Sequence, residues 1–375
     1  MPKRSAGRVI VVGSSNTDLV VHVKKLPSGG ETVLGGDMQT FAGGKGANQA
    51  VAAARAGAKV HFIGAFGNDA FGKARRADLE REGVDCSGCV VKKGVPSGVA
   101  LIAIGEGKGG KAENQIVVAP GANMRLTPAD VKRGMPKGLS REDVILGSME
   151  VPWAAIEQAF ASGVVGATSA ILNPAPYPKE GFSKSQLAKI SSMVGYITPN
   201  EHEFGQFCKQ AIKGSFSLKK MLKWFDSHVE NVLESFSIVT TLGSQGVDIL
   251  FMLAPFEFNN VRIKLEGEEQ LSEKDQQGLI KHLNKVVPSE FGQEIDGVIV
   301  HRACIAAPKV KAVDTVGAGD CFNGCFAARV CGEEFDIEGA ARFAVAAASL
   351  KVTRHGAQAG MPYRREILKL MKKMK

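Results

Sequence analysis

Continuous apolar runs alternate with helical periods along most of this 375-residue chain. "RVIVVG" is β-branched throughout, the mark of a strand buried on both faces. "GKGANQAVAAARAGA" reads as an alanine-rich helix ending at Gly57, and "KVHFIGAFG" as the strand that follows it. In "LTPADVKRGM", Thr127 is placed to cap a helix, Pro128 to occupy its first position and Asp130 to sit in its first turn. "DVILGSME" predicts a strand, Pro152 opens the helix "PWAAIEQAF", and the strands "SAILNPAP" and "VGYITPNE" are each halted by proline. "FSIVTTLGSQGVDILF" predicts two strands around a Gly-Ser-Gln-Gly turn. Strands separated by helices imply an α/β fold, a three-layer α/β/α sandwich around a mainly parallel sheet.

Two regions interrupt that rhythm. Residues 16–41 carry short apolar patches and glycine-containing turns without a helical period, and "SGVALIAIGEG" with "NQIVVAPGAN" forms a second β-like element. Together, segments 16–41 and 97–120 predict a small β-sheet lying over the main sheet as a lid. The second interruption is the connection from Gly246 to Asp314, whose middle, Gln270 to Phe291, is rich in Gln, Glu, Lys and His. It reads as an insertion over roughly 251–305 within a single catalytic domain spanning 1–375, of the surface or partly ordered kind.

Composition narrows the classes. The chain is 44% hydrophobic and 23% charged, ordinary for a globular protein. Its net charge of +9 is spread along the sequence, with a small cluster in "LKLMKKMK" and no aromatic-interleaved basic stripe, so nucleic acid is not the expected partner. No apolar stretch approaches a membrane span, and "MPKRSAGRVIVVG" lacks the core of a signal peptide. A cytoplasmic protein is expected, leaving a nuclear or organellar pool open. Of seven cysteines, Cys86 and Cys89 make one isolated C-x-x-C without a second ligand pair, which favours free thiols.

Candidate chemistry gathers where strands end. In "FAGGKGANQA", Gly43 and Gly44 precede a helix and let backbone N–H groups approach a ligand, although a packing role for the pair fits as well. Lys45 and Asn48 add donors suited to a polyhydroxylated molecule. Asn16 and Asp18 follow the first strand, where open α/β sheets bind ligands, or form an exposed Asx turn. Glu150 also follows a strand and can accept two hydroxyl protons of a diol. "TPNEHEF" places Asn200 and Glu203 so that an amide reaches phosphate while the acid orients hydrated magnesium; His202 reads as an exposed helix-start residue. The turn Thr241, Leu242, Gly243, Ser244, Gln245, Gly246 offers N–H groups to a nucleotide. In "DTVGAGDCFNG", Asp320 stands directly behind Gly317, Ala318 and Gly319 at a helix start. A capping acid would explain the carboxylate but not the small residues before it.

The ordered set "GGKGANQAVAAARAGA", "NPAP", "TPNE", "TLGSQG" and "DTVGAGDCFNG" resembles the ribokinase-like (PfkB) family of carbohydrate kinases over nearly the whole chain. "GETVLGG" with "GGKGANQAVAA" points to the branch that phosphorylates D-ribose with ATP at O5. That resemblance implies Asp320 as general base and the N–H groups of Gly317, Ala318 and Gly319 as an anion hole. It implies ribose held by Asn16, Asp18, Gly43, Gly44, Lys45, Asn48 and Glu150. ATP would be contacted by Asn200, the 241–246 turn, Gly319 and Asp320, with Glu203 acting on Mg²⁺. It further implies a homodimer through the lid, and an activating K⁺ held mostly by backbone oxygens of Asp314, Val316, Lys351, Arg354, Gly356 and Gly360. Two positions depart from the pattern: Val345 stands where relatives are polar, and Gly360 lacks a hydroxyl that relatives can offer. A nucleoside kinase of adenosine-kinase type, with Phe41 against a base, and a silent sugar- or nucleotide-binding regulator are the alternatives.

Overall fold

The computed structural model describes residues 7–106, 112–165, 168–211, 220, 235–253, 293–295, 298–332 and 336–374. The strands are β1 (Arg8–Val12), β2 (Asn16–Lys25), β3 (Gln39–Gly43), β4 (Lys59–Ile63), β5 (Ala65–Gly67), β6 (Val90–Lys92), β7 (Gly98–Glu106) and β8 (Ala112–Ala119). They continue as β9 (Val144–Ser148), β10 (Ser169–Asn173), β11 (Tyr196–Ile197), β12 (Ser235–Thr241), β13 (Val247–Leu253), β14 (Gln293–Ile295) and β15 (Val298–Ile305). The helices are α1 (Lys45–Arg55), α2 (Ala70–Arg81), α3 (Pro128–Gly134), α4 (Trp153–Val165), α5 (Lys184–Met193) and α6 (Glu201–Ala211). After β15 come α7 (Ala318–Val330), α8 (Ile337–Lys351) and α9 (Arg364–Met371).

Nine strands form the main sheet in the order β14-β15-β13-β12-β11-β10-β9-β1-β4. From β4 to β12 every pairing is parallel; β12-β13, β13-β15 and β15-β14 are antiparallel. The alternation of β1 divides the core. Val9 and Val11 join Ala50, Phe326 and Phe343 from α1, α7 and α8, whereas Ile10 and Val12 join Ile156, Ile190 and Phe207 from α4, α5 and α6. Successive strand side chains point to opposite faces, so one buried strand feeds two hydrophobic layers. A separate four-stranded sheet, β3-β2-β7-β8, matches the predicted lid and extends it to Gly43.

Local signals explain most element ends. Thr127 and Asp130 form a reciprocal capping box at α3, as the sequence predicts. "KVHFIGAFG" divides at Gly64 into β4 and β5, and β5 leaves the main sheet to pair with β6. "VGYITPNE" shortens to the two residues of β11; the Thr198 N–H still bonds the Leu172 carbonyl, but Pro199 has no N–H with which to continue. The predicted insertion is narrower than 251–305, because Phe251–Leu253 completes β13 and Val298–Ile305 is β15. Apart from β14, its remainder, 254–297, lies outside the described residues. Among the described residues no helix is long and apolar enough to cross a membrane.

One packing contact positions the site. A Cβ on Gly324 of α7 would lie 2.2 Å from the Gln49 carbonyl oxygen and 2.7 Å from Ala52 Cβ, both on α1. The two helices therefore touch backbone to backbone. Gly324→Ala should gain about 1 kcal/mol of helix propensity yet lose more by overpacking, typically about 1–3 kcal/mol. A lower urea midpoint for this variant is expected; an unchanged or higher one would refute the close approach.

Candidate active site

The parallel strands all end on one edge of the main sheet. Ser14–Asn16 follow β1 there, Glu150 follows β9, Asn173 ends β10, Asn200 follows β11 and the 241–246 turn follows β12. Ligands of open α/β sheets bind at this edge. The lid departs from the same place, since β2 begins at Asn16.

The glycines at the start of α1 sit where the chain approaches itself closely. Gly44 has φ 89°, and a Cβ there would meet the Asn16 nitrogen at 2.7 Å. A Cβ on Gly43 would lie 2.3 Å from the Asp18 carboxylate, so the bare residue keeps that acid accessible. Gly46 instead packs on Gly13, which would be 2.6 Å from its Cβ.

Asn16 is oriented by a residue the sequence reading missed. Asn123 Nδ2 donates to Asn16 Oδ1 at 2.7 Å, and Asn123 Oδ1 accepts the Ser15 N–H at 3.0 Å. The Asn16 carbonyl end is thus engaged, which turns its amide donor end toward a ligand. Glu150 is fixed by Ser14 Oγ, donating at 2.5 Å, and by the Lys45 N–H at 3.0 Å. Burial raises the Asp18 carboxyl to about 6; Glu150 and Asp320 add to the shift, and the guanidinium of Arg75 opposes it. Arg75, on α2, is a second missed residue. It pairs with Asp78 at 2.5 Å and donates to the Phe41 carbonyl at 3.3 Å and to Thr17 Oγ1 at 3.4 Å, at the root of the lid.

Asp320 lies in the first turn of α7 and is only 8% exposed. Asn48 Nδ2 donates to its Oδ2 at 2.8 Å and Gln49 Nε2 to its Oδ1 at 3.2 Å. Gln49 Nε2 also donates to Asn173 Oδ1 at 3.0 Å. Burial raises the Asp320 carboxyl above the usual range, while Lys45 and the two amides pull it back. For Lys45, burial acts downward, but Asp320, Glu150 and Glu203 together outweigh it and the ammonium is held above its ordinary value. Gln49 escaped the sequence reading because neighbours on a helix face different directions. Only the close α1–α7 contact lets both amides reach one carboxylate.

The expected anion hole differs in one member. The Ala318 N–H already donates to the Thr315 carbonyl at 3.1 Å. The N–H groups of Gly317, Gly319 and Asp320 have no acceptor among the described residues. Gly317 is left-handed, φ 75°, and turns the chain into α7; nothing lies within 4 Å of a Cβ built on Gly319. Donors at a helix start facing open space suit a phosphoryl group.

On the nucleotide side, Asn200 and Glu203 cap α6 reciprocally. The Asn200 N–H donates to Glu203 Oε2 and the Glu203 N–H to Asn200 Oδ1, both at 2.9 Å. Burial raises the Glu203 carboxyl, against the pull of the Asn200 N–H and Lys45. Its Oε1 has no hydrogen-bond partner among the described residues, which fits one carboxylate contact to hydrated Mg²⁺ arriving with phosphates. Among those residues no cluster of three His, Cys, Asp or Glu side chains could cage a metal ion. Cys86 and Cys89 are free thiols, and Cys89 Sγ donates to the Phe62 carbonyl. The 241–246 turn stands beside Asn200, with the Thr241 N–H bonded to the Pro199 carbonyl at 2.9 Å.

The residues expected to hold K⁺ do come together, but they are already bonded to one another. Asp314 Oδ1 accepts the Val316 N–H at 2.9 Å and Oδ2 the Gly356 N–H at 2.8 Å. The carbonyls of Lys351 and Gly356 accept the N–H groups of Arg354 and Gly360. The Asp314 carbonyl accepts the ammonium of Lys351 at 2.9 Å. Lys351 was expected to offer a backbone oxygen; it presents its charge instead. This set does not fit a potassium ion.

Comparison with known proteins agrees with this geometry. The profile of the pfkB family carbohydrate kinases matches residues 6–256 and 276–364, breaking within the predicted insertion. A ribokinase of Bacillus subtilis is 33% identical over 97% of this chain and 99% of its own length. A crystal structure of Thermotoga maritima ribokinase superposes with a TM-score of 0.71 at 28% identity, covering 97% of this chain and 99% of that one. The structure of Arabidopsis thaliana ribokinase complexed with ribose and ATP superposes with a TM-score of 0.69 at 26% identity, covering 98% and 99%. With the fold, the edge-of-sheet site and a family match over most of its length in agreement, the chain belongs to the pfkB family of carbohydrate kinases.

Proposed function

We propose that this protein transfers the γ-phosphoryl group of ATP to the O5 hydroxyl of D-ribose, giving ribose 5-phosphate and ADP. The observation that carries the reading is the buried Asp320 carboxylate, oriented by Asn48 and Gln49 beside the open N–H groups of Gly317 and Gly319. Phosphoryl transfer needs mainly positioning and charge stabilisation from a protein. Asp320 takes the O5 proton as O5 bonds to the γ-phosphorus in line with the departing β–γ bridging oxygen. The N–H groups of Gly317, Gly319 and Asp320 and the Lys45 ammonium stabilise the charge on the transferred group. Mg²⁺, when bound with ATP and touched by Glu203, neutralises phosphate charge. Asn16, Asp18 and Glu150 hold the ribose hydroxyls, and Asn200 with the 241–246 turn holds the nucleotide.

The four-stranded sheet serves as the lid over the sugar and excludes water, which would otherwise hydrolyse ATP. Leu101 and Val117 are paired across β7 and β8 and are exposed, which supports a homodimer with a second copy covering this face. A nucleoside acceptor is the second reading, since Phe41 lies beside Asp18 in the β2–β3 register. A panel of pentoses, hexoses and nucleosides with Mg-ATP decides between them, with ribose expected to give the highest kcat/KM.

Asp320→Asn should keep ribose binding and lose at least about 10²-fold in kcat, the usual range for a general base. Near-normal turnover would remove Asp320 from the mechanism. The pH profile gives a second check. Asp18 and Asp320 act as anions, so activity is lost as pH falls through their raised values. The acidic limb of kcat/KM should lie near pH 6 rather than at about 4, where a free aspartate titrates. It belongs to Asp18 and Asp320 together. Arg75→Gln removes the cation that opposes the Asp18 shift and should move this limb to higher pH. An unmoved limb would mean that Arg75 only braces the lid.

A further inference from the structure

The loop that leads into α7 is gripped by a side chain where a free ion was expected. Lys351, the last residue of α8, is fully buried, at 0% exposure. Its Nζ lies 2.9 Å from the Asp314 carbonyl oxygen and 3.8 Å from Asp314 Oδ2. Asp314 holds the rest of the loop with its carboxylate, accepting the N–H of Val316, which directly precedes Gly317, and that of Gly356. The same residue thus carries the ammonium on its main chain and the approach to the anion hole on its side chain.

The opposite wall explains how a lysine fits. A Cβ on Gly360 would lie 3.3 Å from Lys351 Cε and 2.7 Å from the Gly356 carbonyl oxygen. Any side chain at 360 would crowd both. The missing side chain at 360, a departure from the family pattern, and the long cationic one at 351 are therefore complementary in space.

We infer that the Lys351 ammonium is a built-in replacement for the monovalent cation, and that this kinase works without potassium. The two carry the same single positive charge. A buried ammonium must be paired or hydrogen-bonded to remain there, and the Asp314 carbonyl and carboxylate meet that need. Because the charge is covalently attached, it is present at high effective concentration whatever the salt composition. Lys351 touches neither sugar nor nucleotide in this scheme. It is a positioning residue that fixes Asp314 and, through it, the Val316–Gly319 amides. A fixed dipole at that place stabilises developing charge without reorganisation during transfer.

The inference rests on the phosphoryl-transfer reading, and the test separates the two. Wild-type turnover with Mg-ATP and ribose is measured in potassium chloride and in choline chloride at equal ionic strength. The two rates should agree within about twofold, a negligible difference in transition-state stabilisation. Lys351→Ala leaves the oxygens and removes the charge. In choline it should lose on the order of tenfold or more in kcat, and potassium should restore activity along a saturable curve. Lys351→Met, which keeps the bulk, should lose activity without rescue. Strong potassium activation of the wild-type enzyme would overturn the inference, as would a Lys351→Ala enzyme indifferent to the cation or beyond its rescue. Crystals soaked in thallium decide the matter without any assay. Wild-type crystals should show no anomalous peak beside the Asp314 carbonyl; a peak there would place an ion where the ammonium is assigned.

Discussion

A carboxylate withdrawn from water must find hydrogen bonds or it will hold its proton. Asp320 finds them on another helix, through the amides of Asn48 and Gln49. That interaction depends on α1 and α7 lying close enough for Gly324 to face the Gln49 carbonyl. It also depends on Gln49 being tied through Asn173, at the end of β10, to the carbonyl of Thr198. The base is therefore referenced to the main sheet by way of two helices.

Around this anchor the site collects more negative charge than it neutralises. Glu150, Asp320 and Glu203 converge on Lys45, while Asp18 lies near Glu150 and Asp320 with Arg75 opposing its shift. Burial and mutual repulsion raise Asp18 and Asp320 together. The N–H groups of Gly317, Gly319 and Asp320 have no acceptor among the described residues, a donor set suited to an anion.

Part of this was legible in residue order. The alternation of apolar runs with helical periods carried the sandwich, and the break in that rhythm carried the second sheet. "GGKGANQA" and "VGAGD" marked the two helix starts because small residues are needed where backbone must approach a ligand. Other parts were not legible. The end of β13 and the whole of β15 were read as insertion, since a strand on the antiparallel edge is defined by its partner rather than by its own pattern. Asn123 and Arg75 carry no motif, and their roles follow from where α2 and the segment after β8 come to rest.

The sequence by itself determined which segments become strands and helices, where they start, and which small residues and acids stand at those starts. Short-range sterics, capping and burial periodicity decide these, and each is encoded within a few neighbouring positions. Only the tertiary structure decided which acceptor each buried donor meets. Asn48 and Gln49 share Asp320 from 272 and 271 positions away, and Lys351 meets the Asp314 carbonyl across 37. Gly360 taken alone read as a weakened cation ligand, and Lys351 as one more backbone oxygen. Once they are packed together, Gly360 leaves the space through which the Lys351 ammonium reaches the Asp314 carbonyl, because a buried charge and the space for it are properties of the fold rather than of the string.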